Sequence, residues 1–238
     1  QEVYKNDNEL RILTLVNGEA DYKSQSLQLS SAPMLLEGQE KGDYKIYLKP
    51  EITLSNVSFN VTHPDLGKRQ VFGDLRFRKA MSVAINREEI NEVALFGLGS
   101  PKQYTGFSPM PDFIDKKWES YMIQFDPAMA NRLLDEIGMV DRDGDGSREL
   151  PNGKKIVINM QFSTQGIDPQ IVEMVGQNWA EVGIKTIWDG VIGEMPLSGY
   201  CGPVAGTLQD LGHGWKFSGQ NSCVGGRDES AVCGLAPV

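Results

Sequence analysis

Apolar and polar residues alternate or recur along this chain with periods that name most of its elements. The run Leu10–Val16 (Leu-Arg-Ile-Leu-Thr-Leu-Val) is apolar enough to read as a buried strand, ended by the turn pair Asn17-Gly18. Lys45 to Leu48 and Val57 to Val61 alternate apolar with polar positions, which predicts two half-buried strands. From Gly73 the period changes. Phe77, Ala80, Met81, Ala84 and Ile85 recur at steps of three and four, the spacing of one helical face, while Arg76, Arg78, Lys79 and Arg87 fall on the others. Asn86 with Glu89 three residues on then opens a second helix as in a capping box, carrying Ile90, Val93 and Ala94 inward.

Two further helices announce themselves by the same device, an aspartate N-cap followed by proline. Asp126-Pro127 precedes a stripe of Ala130, Leu133, Leu134 and Ile137 closed by Gly138. Asp168-Pro169 precedes Ile171, Val172, Val175, Trp179 and Val182, closed by Gly183. Strands are predicted around the second of these, over Lys155 to Phe162 and Gly183 to Ile187, and a parallel crossover is the expected connection. Past Trp188 the periodicity fades. Residues 190–238 are glycine-rich and nearly bare of charge, with Lys216 and Arg227 the only cations, so no long element is predicted there.

Several of these stretches, in order, resemble the family 5 extracellular solute-binding proteins of ABC importers of oligopeptides, dipeptides and nickel. The run Phe77-Arg78-Lys79-Ala80-Met81-Ser82-Val83-Ala84-Ile85-Asn86-Arg87 is similar to that family's helix, with Asn86 where an aspartate is usual. Gly18-Glu19-Ala20-Asp21, Thr62-His63-Pro64-Asp65 and Asp126-Pro127 with Leu133-Leu134 resemble further segments of it. The resemblance spans roughly Leu10 to Ile187. It implies an α/β fold, a mixed sheet flanked by helices, forming one lobe of a type II periplasmic-binding-protein-like architecture. Residues 1–189 would be that ligand-binding lobe and 190–238 an irregular tail. The partners implied are a small solute (an oligopeptide before others), a membrane permease, and a first lobe of the same protein that closes on the second. An extracytoplasmic location follows, in the periplasm or as a cell-surface lipoprotein. Ligand binding by this chain alone is expected to be weak or absent.

Composition narrows the classes. Of 238 residues 40% are hydrophobic and 23% charged, as in an ordinary globular protein. A net charge of −9 with no basic stripe argues against a nucleic-acid partner. No run of about 18 apolar residues exists to span a membrane as a helix. Cys201, Cys223 and Cys233 fit no zinc spacing, leaving one disulfide plus a thiol or three thiols open.

Candidate chemistry is sparse. His63 and His213 fall in no metalloprotease pattern, and neither a nucleophile elbow nor a Walker loop occurs, so no enzyme is predicted. Asp141, Asp143 and Asp145 alternate before Gly146, with Glu149 following, a spacing that converges hard oxygens on Ca²⁺. Position twelve is Asn152 where an EF-hand needs glutamate, so a solvated polar turn is the other reading. No cofactor is otherwise required, and a Ca²⁺-dependent structural or adhesion module stands as the alternative function. The family places the Pro-rich loop after Pro101 beside its cleft, which makes Tyr104 and Phe107 candidate ligand contacts; a surface loop is the alternative. Gly214-Trp215 resembles a Gly-Trp of the family, making Trp215 a third candidate, although the acidic loop that follows it there is replaced by Lys216-Phe217-Ser218-Gly219.

Overall fold

The computed structural model describes residues 8–23, 27, 29–48, 56–103, 111–164, 167–191 and 206–209. Its centre is a four-stranded sheet in the order β1-β4-β2-β3, built from β1 (Asn56–Phe59), β2 (Ile158–Ser163), β3 (Thr186–Val191) and β4 (Gly206–Gln209). The pairs β2/β3 and β2/β4 are parallel and β1/β4 is antiparallel, which makes the sheet mixed, as the resemblance implied. The strand–helix–strand unit at 158–191 is the predicted parallel crossover. Sequence periodicity gave no hint of β4, because four residues are too few for a pattern. Its backbone nevertheless sits between β1 and β2 and joins them.

Around the sheet lie α4 (Leu66–Gly73), α5 (Leu75–Val83), α6 (Arg87–Ala94), α7 (Pro127–Glu136) and α8 (Pro169–Glu181). Their starts are fixed by side chains. Asp65, Asp74, Asp126 and Asp168 each accept a hydrogen bond from a backbone N–H of the first turn. Asn86 caps α6 by accepting from Glu89 N, and Glu89 answers by accepting from Asn86 Nδ2 at 3.0 Å. The Asn86 backbone N–H is not used in that box. It donates to Asn178 Oδ1 on α8 at 2.8 Å, so the cap also ties α6 to α8.

The main core is aromatic at its centre. Phe59 of β1 packs against Phe72, Phe77 and Trp179 with centroids 5.5, 5.1 and 5.8 Å away, and Trp179 stacks on Trp188 of β3. Trp179 is fully buried, and its indole N–H donates to the Met81 carbonyl at 3.0 Å, satisfying the one polar atom it carries inward. Thus α4, α5 and α8 share one face of the sheet.

Two predicted strands are not strands. Leu10–Val16 lies in α1 (Asn8–Val16), packed on α2 (Ala32–Glu37) and followed by α3 (Gln39–Gly42). Burial of Ile12 and Leu15 with exposure of Leu10 and Leu13 shows the helical period within a run whose apolar character hid it. Asn17-Gly18 still ends the element, now as a helix stop with Gly18 at φ +70°. Lys45–Leu48 keeps its alternation, Ile46 half-buried between exposed Lys45 and Tyr47, but pairs with no strand among the described residues. An alternating pattern needs a ladder partner to become a strand, and the described residues supply none. The helix α4 was not foreseen at all; Asp65, a cap in plain view, marks its start.

Candidate functional site

The register of the sheet creates a face that no helix pattern reveals. Val57, Phe59, Ile158, Met160, Phe162 and Trp188 fall on the core side, with α4, α5 and α8. The intervening positions fall on the other side, as successive strand residues must. On β1 these are Asn56 and Ser58; on β2 Asn159, Gln161 and Ser163; on β3 Ile187 and Asp189. Ser58 and Gln161 are both level with residue 207 of β4, and Asp189 is level with Gln161, so the three share one rung across the sheet. Asn56 lies one step nearer the end where β2, β3 and β4 finish, since it pairs with Gln209. Ligand clefts of open α/β sheets form at that carboxyl edge, beyond the strand ends and near helix N-termini. Here the N-terminus of α8, capped by Asp168, follows β2 on the same edge.

Polar groups on this face are incompletely paired. Gln161 donates through Nε2 to Asp189 Oδ2 at 3.4 Å, which turns its own Oε1 away; that oxygen is buried and receives no hydrogen bond. Asn56 is only 7% exposed, its Nδ2 reaches Ser58 Oγ at 3.4 Å, and its Oδ1 likewise has no donor. Buried side-chain oxygens nearly always find donors, so each exception needs a reason.

The opposite, amino end of β2 and β3 holds the Asp loop, where the carboxylates are densely paired, although the buried Ser147 Oγ has no hydrogen-bond partner among the described residues. Asp141 accepts from Gly144 N at 2.7 Å and Gly146 N at 2.9 Å, with both glycines at positive φ. Lys155, just before β2, donates to Asp143 Oδ2 at 2.7 Å and Asp145 Oδ2 at 2.8 Å. The lysine holds the Asp145 carboxyl down to about 2, helped by the Ser147 N–H, and lowers Asp143 too. Accepting those bonds, Asp143 first and then Asp145, the two carboxylates raise the Lys155 ammonium in turn. Glu149 is buried, accepting from Arg142 N at 2.8 Å. Asp141, Asp143 and Glu149 each bring one oxygen within 4.8 Å of the others, whereas Asp145 is directed to the lysine. Four metal candidates therefore sort into three that converge and one that does not. Nearby, Arg148 donates to Val182 O, Met139 O, Asn131 Oδ1 and Asp135 Oδ1, stapling α7 to the α8–β3 turn.

Tyr104, Phe107 and Trp215, the candidate ligand contacts, lie outside the described residues. Sequence reasoning missed Asn56, Gln161 and Asp189. One signal was available: strands buried on both faces of a parallel sheet read as near-continuous apolar runs, and the alternation Ile158-Asn159-Met160-Gln161-Phe162 does not. Two shallow hollows, about 240 Å³ at Asn86, Pro101 and Phe125 and about 370 Å³ at Asp141, Arg148 and Gly183, include no residue of the carboxyl edge. No described helix is long and apolar enough to cross a membrane.

Comparison with known proteins agrees with this architecture. A probable ABC transporter-binding protein of Deinococcus radiodurans is 30% identical over 128 residues, 53% of this chain and 21% of that one. The glutathione-binding protein GsiB of Pectobacterium atrosepticum is 27% identical over 180 residues, 75% of this chain and 30% of that one. Among solved structures, the oligopeptide-binding protein OppA superposes with a TM-score of 0.66 at 29% identity, covering 87% of this chain and 34% of OppA. The chain thus spans between a fifth and about a third of the length of these relatives. The model for bacterial extracellular solute-binding proteins, family 5, matches residues 2–191, and the chain belongs to that family.

Proposed function

We propose that this chain is the second lobe of the solute-capturing component of an ABC importer, taking up peptides and presenting them to a membrane permease. Family membership carries the reading. The named ligands of relatives, glutathione and oligopeptides, favour a peptide over other solutes. Geometry supports it in that the carboxyl edge of the sheet is polar, carrying Asn56, Gln161 and Asp189, as half of a cleft that a facing lobe would complete. Closure would be a hinge motion, with solute favouring the closed state through contacts made to both lobes. Residues 1–189 make up the lobe and 190–238 add β4 to its sheet. Tyr104, Phe107 and Trp215 are carried forward as ligand contacts. The binding protein acts outside the cytoplasm, as the description of its family states for the members.

For the Asp loop we propose a structural role. Lys155 supplies the positive charge between Asp143 and Asp145 that Ca²⁺ would otherwise bring, and the loop stands at the end of the sheet away from the cleft edge. Nothing favours a Ca²⁺-dependent adhesion module. The family is one of binding proteins, not enzymes, and the proposed role requires no cofactor.

Native mass spectrometry of the full-length two-lobed protein, purified without added solute, tests the reading. A retained mass matching short peptides is the expected result. A retained sugar or metal chelate would keep the importer role and replace the ligand class. Failure to retain or bind any solute in a subsequent panel of peptides, sugars and chelates would overturn it.

A further inference from the structure

The helix α6 ends on a residue that packing within the chain does not explain. Its C-cap is Leu95, and Phe96 follows at φ +54°, the left-handed conformation that usually falls to glycine at this place. Among the described residues Asp43 and Met122 share that conformation, but aspartate tolerates it and Met122 packs against the main core. Phe96 is 53% exposed and joins neither core cluster of the described residues. A bulky side chain held in a strained conformation without packing in return points to a use outside the chain. The turn is firmly built. Gly97 N donates to the Asn91 carbonyl at 2.9 Å, Leu98 N to the Leu95 carbonyl at 3.0 Å, and Gly99 N to the buried Asn91 Oδ1 at 2.8 Å. A Cβ on Gly99 would lie 2.6 Å from that oxygen, so the close approach requires glycine. Phe96 and Leu98 are thus exposed on a rigid turn, with Val93 exposed just before them.

Acidic side chains frame these apolar ones. Glu88, Glu89 and Glu92 are, with Val93, the exposed residues of α6. Glu89 serves the cap, whereas Glu88 and Glu92 form no ion pair among the described residues. The Glu92 carboxylate reaches the closing turn, 3.5 Å from where a Cβ on Gly97 would be. Glu88 borders the hollow of about 240 Å³, whose apolar wall is Pro101, Ile123 and Phe125. Arg87 lines it too, but its guanidinium donates inward, to the Ser82 carbonyl at 2.8 Å and Ser82 Oγ at 2.9 Å. This surface is not the solute edge. The start of α6 is tied to Asn178 near the end of α8, and α8 runs from the carboxyl edge back to the amino end of the sheet.

We infer that the outer face of α6 and its closing turn are a docking surface for an extracytoplasmic loop of the importer's permease, a loop carrying an apolar side chain flanked by lysine or arginine. The apolar side chain packs on Phe96 and Leu98. One cation pairs with Glu92, and another lays its aliphatic stem along the hollow to reach Glu88. Charge complementarity selects a basic partner, while a second copy of this chain, with its net charge of −9, would set acid against acid. A rigid aromatic anchor costs little to order on binding. The inference rests on the importer role proposed above.

The test uses the full-length two-lobed protein and its importer in proteoliposomes, with a tryptic digest of casein as solute, read as stimulated ATP hydrolysis. Phe96→Gly and Glu92→Lys should each raise the binding-protein concentration for half-maximal stimulation by about tenfold or more. Neither should change affinity for the digest, and Phe96→Gly should raise the thermal midpoint because the left-handed strain is relieved. Unchanged half-saturation in both variants, with wild-type stimulation intact, would overturn the surface and leave the importer role standing. A lowered midpoint or altered solute affinity in Phe96→Gly would also overturn it, by showing that the ring packs against the facing lobe. Wild-type protein that stimulates no hydrolysis would sink the importer role itself, and the docking surface with it.

Discussion

The two ends of the parallel pair β2/β3 differ in how their polar groups are served. At the amino end, Arg148 meets four oxygens, Lys155 bridges two carboxylates, and the glycines of the Asp loop donate to Asp141. At the carboxyl end, two buried oxygens go without donors on a face that no described helix packs against. A finished network stabilises a fold; an unfinished one stores capacity for something that binds. The contrast teaches which conspicuous motif to discount. The Asp loop is the loudest polar signal in the sequence and its carboxylates are served from within the protein, with Ser147 Oγ its one buried unpaired atom among the described residues, while at the other end both orphans, Asn56 and Gln161, are amide oxygens on one strand face.

Breaking the satisfied end should cost most. Arg148→Ala would leave the Val182 and Met139 carbonyls without their donor beside a mostly buried gap, a loss of about 2–4 kcal/mol by urea unfolding. A loss below a few tenths would show that water replaces the guanidinium there.

The reverse should hold at the other end. Asn56→Leu keeps the shape and removes an oxygen with no donor, so stability should stay level or rise by up to about 1 kcal/mol in the same assay. A clear destabilisation would mean that Asn56 is already satisfied, and the contrast between the ends would dissolve.

Smaller effects sharpen the reading of the Asp loop. The thermal midpoint in excess Ca²⁺ and in chelator should nearly coincide, because Lys155 already bridges two of its carboxylates. A shift of many degrees would restore Asp141, Asp143 and Glu149 as metal ligands.

The smallest effect is in pH. Asp145 and Asp143 are depressed by Lys155, so their contribution is full above the unfolded carboxyl value near 3.8 and fades as pH falls toward about 2. Both are exposed and salt-screened, so the fade is slight. Lys155→Met should remove this acid-limb sensitivity, and an unchanged acid limb would locate it elsewhere.

The amino-acid sequence by itself determined the helices that carry their own punctuation. Asp126-Pro127, Asp168-Pro169 and the Asn86–Glu89 box fix α7, α8 and α6 locally, because caps satisfy N–H groups within one turn and need no distant partner. Ordered motifs across the chain also made the family legible. What tertiary structure decided is whatever depends on a partner far along the chain. Leu10–Val16 became a helix because α2 was there to pack against, and Lys45–Leu48 found no ladder among the described residues. Residues 206–209 became a strand because β1 and β2 each offered an unpaired edge. The candidate site belongs to this second class. Ser58, Gln161 and Asp189 stand more than a hundred residues apart at their extremes, and only the register of three strand pairings sets them on one rung.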